Sequence, residues 1–147
     1  MDRVIPVVVI KDINETEKTL SALRAGGINC AEITFRTACA EEAIKLGAKL
    51  FPDMNIGAGT VINEEQAIRT VNAGAKFIVS PGFSEKVALY VRKQGIPYYP
   101  GCVTPTEIMR ALELGITTVK FFPASVYGGL KALKALSGPF PQVKFIP

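Results

Sequence analysis

Thr117-Thr118-Val119-Lys120-Phe121-Phe122-Pro123-Ala124 reads as a short buried strand with a lysine in it. Valine and two phenylalanines surround Lys120, and Pro123 stops the strand. A charged amine in such a setting is expensive unless it is paired or neutral. Burial disfavours the ammonium form. An unprotonated lysine is a nucleophile toward carbonyl carbon, which is Schiff-base chemistry. The competing reading is a lysine at a strand end whose stem packs while its head reaches water. The stretch alone does not separate the two.

The same pattern, a glycine followed by an apolar strand, recurs outward from this stretch. Gly27 leads into Ile28 to Phe35, Gly74 into Ala75 to Ser80, and Gly115 into Ile116 to Phe121. Glu32 lies five residues after Gly27, and Lys120 five after Gly115. That equivalence places the two side chains at one level, pointing the same way from their strands. In all, seven strands alternate with six helices. The strands are expected at Val4 to Ile10, Asn29 to Phe35, Asn55 to Ala58, Lys76 to Val79, Ile96 to Tyr99, the Lys120 stretch, and Gln142 to Ile146. The first helix is expected to be capped by Asp12 or Asn14 and to run to Arg24. The second runs from near Thr37 to about Leu50. Asn63 with Gln66 predicts a capping box for the third, Ser84 caps the fourth, and Thr104-Pro105-Thr106-Glu107 opens the fifth. The sixth covers about Gly129 to Leu136. Strict alternation implies right-handed βαβ units and a parallel sheet. With a repeated unit and short loops, an α/β (β/α) barrel is favoured over a doubly wound sheet. No linker or low-complexity stretch interrupts residues 1–147, so a single domain is expected.

Composition narrows the chemistry. Hydrophobic residues are 48% and charged residues 20% of 147, a globular balance. No apolar run approaches a membrane span. The run after Met1 is too short and wrongly flanked for a signal peptide, so a buried strand and a cytoplasmic location are expected. Cys30, Cys39 and Cys102 show no CxxC spacing, which argues against a disulfide framework and a zinc site. There is no histidine. A Ser-His-Asp or Cys-His nucleophile within the chain is therefore excluded, and a general base must be a carboxylate, lysine, tyrosine or water. The net charge of +4 comes from scattered lysines and arginines without interleaved aromatics. This gives nucleic-acid binding weak support, and an anionic small substrate fits the balance at least as well. GxGxxG and GxxxxGK[ST] are both absent. Gly57-Ala58-Gly59-Thr60 alone reads as a tight strand-to-helix turn.

In a (β/α) barrel, functional groups project from the C-terminal strand ends. Those ends supply Glu32, Arg36, Thr60, Ser80-Pro81-Gly82, Pro100-Gly101 and Lys120. Glu32 is either a general base beside the lysine or half of a structural ion pair with Lys120 or Arg36. Arg36 offers a fork for a carboxylate, or is a solvated loop arginine. Thr60 donates to substrate, or caps the next helix. Together they suit a 2-keto acid: the lysine attacks the ketone, the arginine holds the carboxylate, and the glutamate moves protons as a C–C bond breaks or forms.

The chain resembles the class I aldolases that act on 2-keto-3-deoxy-6-phosphogluconate and 4-hydroxy-2-oxoglutarate. The resemblance rests on Pro6-Val7-Val8-Val9, Glu32-Ile33-Thr34-Phe35-Arg36-Thr37, Gly57-Ala58-Gly59-Thr60-Val61, Ser80-Pro81-Gly82, Pro100-Gly101, Val119-Lys120-Phe121-Phe122-Pro123-Ala124 and Gly138-Pro139-Phe140. It implies an eight-stranded (β/α) TIM barrel, usually a homotrimer, with no cofactor and no metal. Lys120 would be the Schiff-base lysine and Glu32 the proton acceptor and donor. Arg36 and Thr60 would bind the pyruvate carboxylate, and Pro81 would line the pocket. The products would be pyruvate with glyceraldehyde 3-phosphate or glyoxylate. Relatives continue beyond the seventh strand with further helices, an eighth strand and glycine-rich phosphate loops. The 147 residues are thus expected to form an incomplete barrel with open edges. This leaves as an alternative an inactive truncated fragment serving as an assembly or binding module. A further one is a different barrel lyase or synthase in which Lys120 only holds an anion.

Overall fold

The computed structural model describes residues 4–147. The N-terminal flank weighed above, Met1 to Arg3, lies outside the described residues. Seven strands and six helices alternate among the described residues. They are β1 (Val7–Val8), α1 (Glu15–Ala25), β2 (Cys30–Thr34), α2 (Ala40–Leu50), β3 (Asn55–Gly59), α3 (Glu64–Asn72), β4 (Ile78–Val79), α4 (Glu85–Lys93), β5 (Tyr98–Tyr99), α5 (Pro105–Glu113), β6 (Thr118–Lys120), α6 (Gly129–Ser137) and β7 (Lys144–Ile146). Strands β1 to β5 pair in sequence order, all parallel, and β6 pairs in parallel with β7. A parallel bridge between Gly101 and Lys120 joins the two groups. It consists of Lys120 N–H donating to Pro100 O at 2.8 Å and Cys102 N–H donating to Lys120 O at 2.9 Å. This is the α/β barrel wall expected from the alternation.

The pleat sorts side chains into two layers. Ala31, Ile33, Ile56, Ala58 and Ile78 face outward and pack on Leu20, Ile44, Ala67, Val87 and Val91 of the helices. Cys30, Phe77 and Val79 face inward, with Ile5 and Tyr99 beside them. Glu32 and Thr34 alternate with Ala31 and Ile33, so they share the inner face. The glycines noted before strands take left-handed backbone, with φ of 78° at Gly27 and 75° at Gly115. A side chain there would be strained, which explains the repeated residue type.

The fold departs from expectation at several element ends. The run Val4 to Ile10 is not a buried strand. Only Val7–Val8 are in the ladder, and Val4, Val7 and Val9 are exposed while Ile10 is buried. The reason is that β1 has a strand neighbour on one side only among the described residues. Asn14 occupies the cap position of α1 but makes no cap bond; its side chain donates to Asp12 Oδ1 instead. Thr37 does not open α2, because its hydroxyl donates to Ile10 O at 2.7 Å. Asn63 caps α3 as expected, yet Gln66 accepts from Ile62 N–H rather than from the cap residue itself. Ser84 caps α4, and Thr104 with Glu107 forms the full capping box on α5. Burial pushes the Glu107 carboxyl up. Bonds from Val103 N–H, Thr104 N–H and the Thr104 hydroxyl outweigh this and hold it below the usual carboxylate range.

Candidate active site

Glu32 stands in the middle of β2 and is 3% exposed. Lys120 ends β6, and its side chain is 12% exposed. Lys120 Nζ donates to Glu32 Oε1 at 3.3 Å, across 88 residues of sequence. The side chains placed at one level by their spacing from Gly27 and Gly115 therefore meet inside the barrel. Of the two ion-pair partners open to Glu32, it takes Lys120. The second contact of the amine is the Phe122 ring, whose centroid lies 5.0 Å from Nζ. Such a ring face attracts a cation. Phe122 is half exposed, unlike its fully buried neighbour Phe121.

The space for the carboxylate is made by β3. A Cβ added at Gly59 would stand 2.1 Å from Glu32 Oε1, far inside contact distance. One added at Gly57 would stand 2.4 Å from the Phe77 ring. Both glycines belong to the strand, not to a turn; the turn begins at Thr60. Sequence reading had no signal for Gly59 beyond its place before Thr60.

Arg36 and Thr60 leave the C-terminal ends of β2 and β3 and meet each other. Arg36 Nε donates to Thr60 Oγ1 at 2.8 Å. The two strand ends are tied by Phe35 N–H donating to Gly59 O at 2.7 Å. Thr60 does not cap α3, since Asn63 does. Its φ is 59°, in the left-handed region. A β-branched residue held there stores about 1–3 kcal/mol of strain, and such residues cluster at functional sites. The loop that follows is fixed from outside. Tyr98 OH donates to Ser80 Oγ at 3.0 Å, and Ser80 Oγ donates to Val61 O. Desolvation raises the Tyr98 phenol above its ordinary value, so it stays a donor.

Pro81 follows β4 and is exposed. It lines a cavity of about 210 Å³ with Val61, Ile62, Ser80, Gly82, Phe83 and Ser84. That lining does not include Lys120 or Glu32. Pro81 is nonetheless one strand from the lysine: a Cβ added at Gly101, the bridge partner of Lys120, would stand 2.0 Å from Pro81 O. The structure thus forms two pairs, Lys120–Glu32 and Arg36–Thr60, with Gly59 between them. Among the described residues, no three His, Cys, Asp or Glu side chains are grouped to hold a metal ion. No helix among them is long and apolar enough to cross a membrane.

Comparison with known proteins identifies the family. The chain matches the model of the family described as "Aldolase: KDPG and KHG aldolase" over residues 1–147. It is 46% identical over 145 residues to 2-dehydro-3-deoxy-phosphogluconate aldolase of Treponema pallidum, covering 99% of the chain and 69% of that relative. It is 43% identical over 144 residues to KHG/KDPG aldolase of Escherichia coli, covering 98% and 68%. The structure superposes with a TM-score of 0.94 on KDPG aldolase from Legionella pneumophila, crystallised with pyruvate captured as a covalent carbinolamine. That protein is 46% identical, and the match covers 97% of this chain and 69% of the other. A barrel wall of this topology, carrying a partly buried lysine beside a carboxylate and matched over residues 1–147, places the chain in the KDPG and KHG aldolase family.

Proposed function

We propose that this chain is a class I aldehyde-lyase. It would reversibly cleave 2-keto-3-deoxy-6-phosphogluconate, 4-hydroxy-2-oxoglutarate or both to pyruvate and an aldehyde, through a Schiff base on Lys120. The observation that carries this reading is the partly buried contact of 3.3 Å between Lys120 Nζ and Glu32 Oε1. An amine that passes its proton to that carboxylate becomes a nucleophile. It attacks C2 of the keto acid, the N–C bond forms, and the ketone oxygen leaves as water. The iminium then draws the electron pair of the breaking C3–C4 bond into an enamine, while Glu32 takes the C4 hydroxyl proton directly or through water. Reprotonation at C3 and hydrolysis release pyruvate and restore the amine.

Arg36 supplies the carboxylate clamp in this scheme. Its bond to Thr60 uses Nε, and its side chain has no other polar partner among the described residues, which leaves its terminal nitrogens available to a carboxylate. Thr60 adds a hydroxyl, and Pro81 borders the mouth. The solved relative that holds pyruvate covalently supports the same chemistry. We further read residues 1–147 as one barrel domain. The protein would be cytoplasmic and would assemble as a homotrimer. The apolar surface of Val126, Tyr127 and Leu130 after β6 suits such contacts. Solution mass tests the assembly.

Borohydride trapping with pyruvate, followed by peptide mass spectrometry, tests the chemistry. A reduced adduct on Lys120 is expected, and Lys120→Arg should abolish it. Folded protein without an adduct would overturn the aldolase reading. Pyruvate binding that survives in Lys120→Arg, with no adduct in either form, would point to a lysine that only holds an anion.

A further inference from the structure

Thr34 has no role in the scheme above, yet its environment is unusual. It ends β2, is fully buried, and its Oγ1 has no hydrogen-bond partner among the described residues. A buried hydroxyl without a partner is costly, and native structures keep few of them. The other such hydroxyl, Thr16 Oγ1, belongs to helix α1. Thr34 lies on the inner face, two residues beyond Glu32, by the alternation that turns Ala31 and Ile33 toward the helices.

Register brings it to the carboxylate. Thr34 pairs with Gly59, while Glu32 pairs with Gly57. The Glu32 side chain does not stay on its own rung. Its Oε1 lies 2.1 Å, and its Cδ 2.6 Å, from where a Gly59 Cβ would be, so the carboxylate has risen to the rung of Thr34. Neighbouring strands are about 4.8 Å apart, so the Thr34 side chain stands one strand spacing from that position. Thr34 thus shares the inner face and the rung of the carboxylate, and its Oγ1, which has no partner among the described residues, is left to hold a bridging water.

Resting on the aldolase reading, we propose that Thr34 is a positioning residue for proton transfer at Glu32. Its hydroxyl holds the water through which the carboxylate exchanges protons with C3 of bound pyruvate. In that step the C3–H bond breaks, and its electron pair forms the enamine double bond and neutralises the iminium nitrogen. The proton passes to the held water as that water gives one of its own to Glu32 Oε. The reverse step returns a solvent-derived proton to C3. Forming the Schiff base itself does not need Thr34.

The experiment follows loss of the pyruvate methyl signal in deuterium oxide by NMR, with borohydride trapping on Lys120 in parallel. Thr34→Val keeps the shape and removes the hydroxyl, and Thr34→Ser keeps the hydroxyl. Exchange in Thr34→Val should slow by about tenfold or more, a fraction of what general acid–base catalysis supplies. Trapping should persist, and Thr34→Ser should recover most of the exchange. Exchange within about twofold of the unchanged protein, with trapping intact, would overturn the assignment. So would parallel loss of trapping and exchange in Thr34→Val, which would mark a structural role. Failure to trap pyruvate on the unchanged protein would instead overturn the aldolase reading, and the Thr34 role with it.

Discussion

Replacing Gly59 by alanine tests whether the room left by β3 is what sets the Glu32 carboxylate. Its φ is not in the left-handed region, so alanine meets no backbone objection and the effect is steric. The new Cβ would stand 2.1 Å from Oε1, 2.5 Å from Cγ and 2.6 Å from Cδ of Glu32. Ordinary contact needs about 3.4 Å or more, so the carboxylate must move by about 1 Å. It is 3% exposed and paired at 3.3 Å with Lys120, so it has no open solvent to move into. Overpacking of this kind costs about 1–3 kcal/mol. At this chain length that corresponds to a fall in melting temperature of about 3–10 °C. A displacement of about 1 Å at a proton-transfer group costs about a hundredfold in rate. Gly57→Ala is the matched control. It collides with the Phe77 ring at 2.4 Å and should lower stability without touching the carboxylate. Methyl exchange of pyruvate and thermal unfolding, measured on both variants, separate the two effects. Exchange by Gly59→Ala within about threefold of the unchanged protein would refute the reasoning, because it would mean that the carboxylate tolerates a 1 Å shift.

Two other consequences are open to simple measurement. Thr60→Gly relieves a left-handed backbone but adds chain entropy, so stability should change by no more than about 1 kcal/mol. The hydroxyl that accepts from Arg36 Nε is lost, and KM for the 2-keto acid should rise about tenfold; an unchanged KM would detach Thr60 from substrate binding. Glu107 has its carboxyl held low in the fold by the α5 cap, so the cap stabilises above the ordinary carboxylate range of about 4.3 and is lost as pH falls through and below it. Glu107→Gln should therefore melt below the unchanged protein at pH 7, with the gap narrowing toward pH 3. A gap that does not narrow would remove the cap from the acid response.

Much of this was legible in the chain itself, for local reasons. The glycine that ends a helix in left-handed backbone repeats before strands, and it numbers the positions that follow. Counting five from Gly27 and five from Gly115 aligned Glu32 with Lys120, because a strand advances by a constant rise and alternates its faces. Caps at Asn63, Ser84 and Thr104 were readable since each bond spans only three residues. The first strand misled for the opposite reason. Its apolar run announces burial, but burial requires a neighbour on each side, and no local pattern reports that.

What the sequence determined by itself was the β/α order, the helix starts and the residue types at the strand ends, all set by steric and hydrogen-bonding rules acting within a few residues. Only the tertiary structure decided who meets whom. It chose Lys120 over Arg36 for Glu32, gave Arg36 to Thr60, turned Gly59 from a supposed turn residue into the space for a carboxylate, and left Thr34 Oγ1 on the rung of that carboxylate without a partner among the described residues. Those contacts depend on the register and stagger of strands up to 88 residues apart, and distances across a barrel are fixed by how the strands pair rather than by any one strand's sequence.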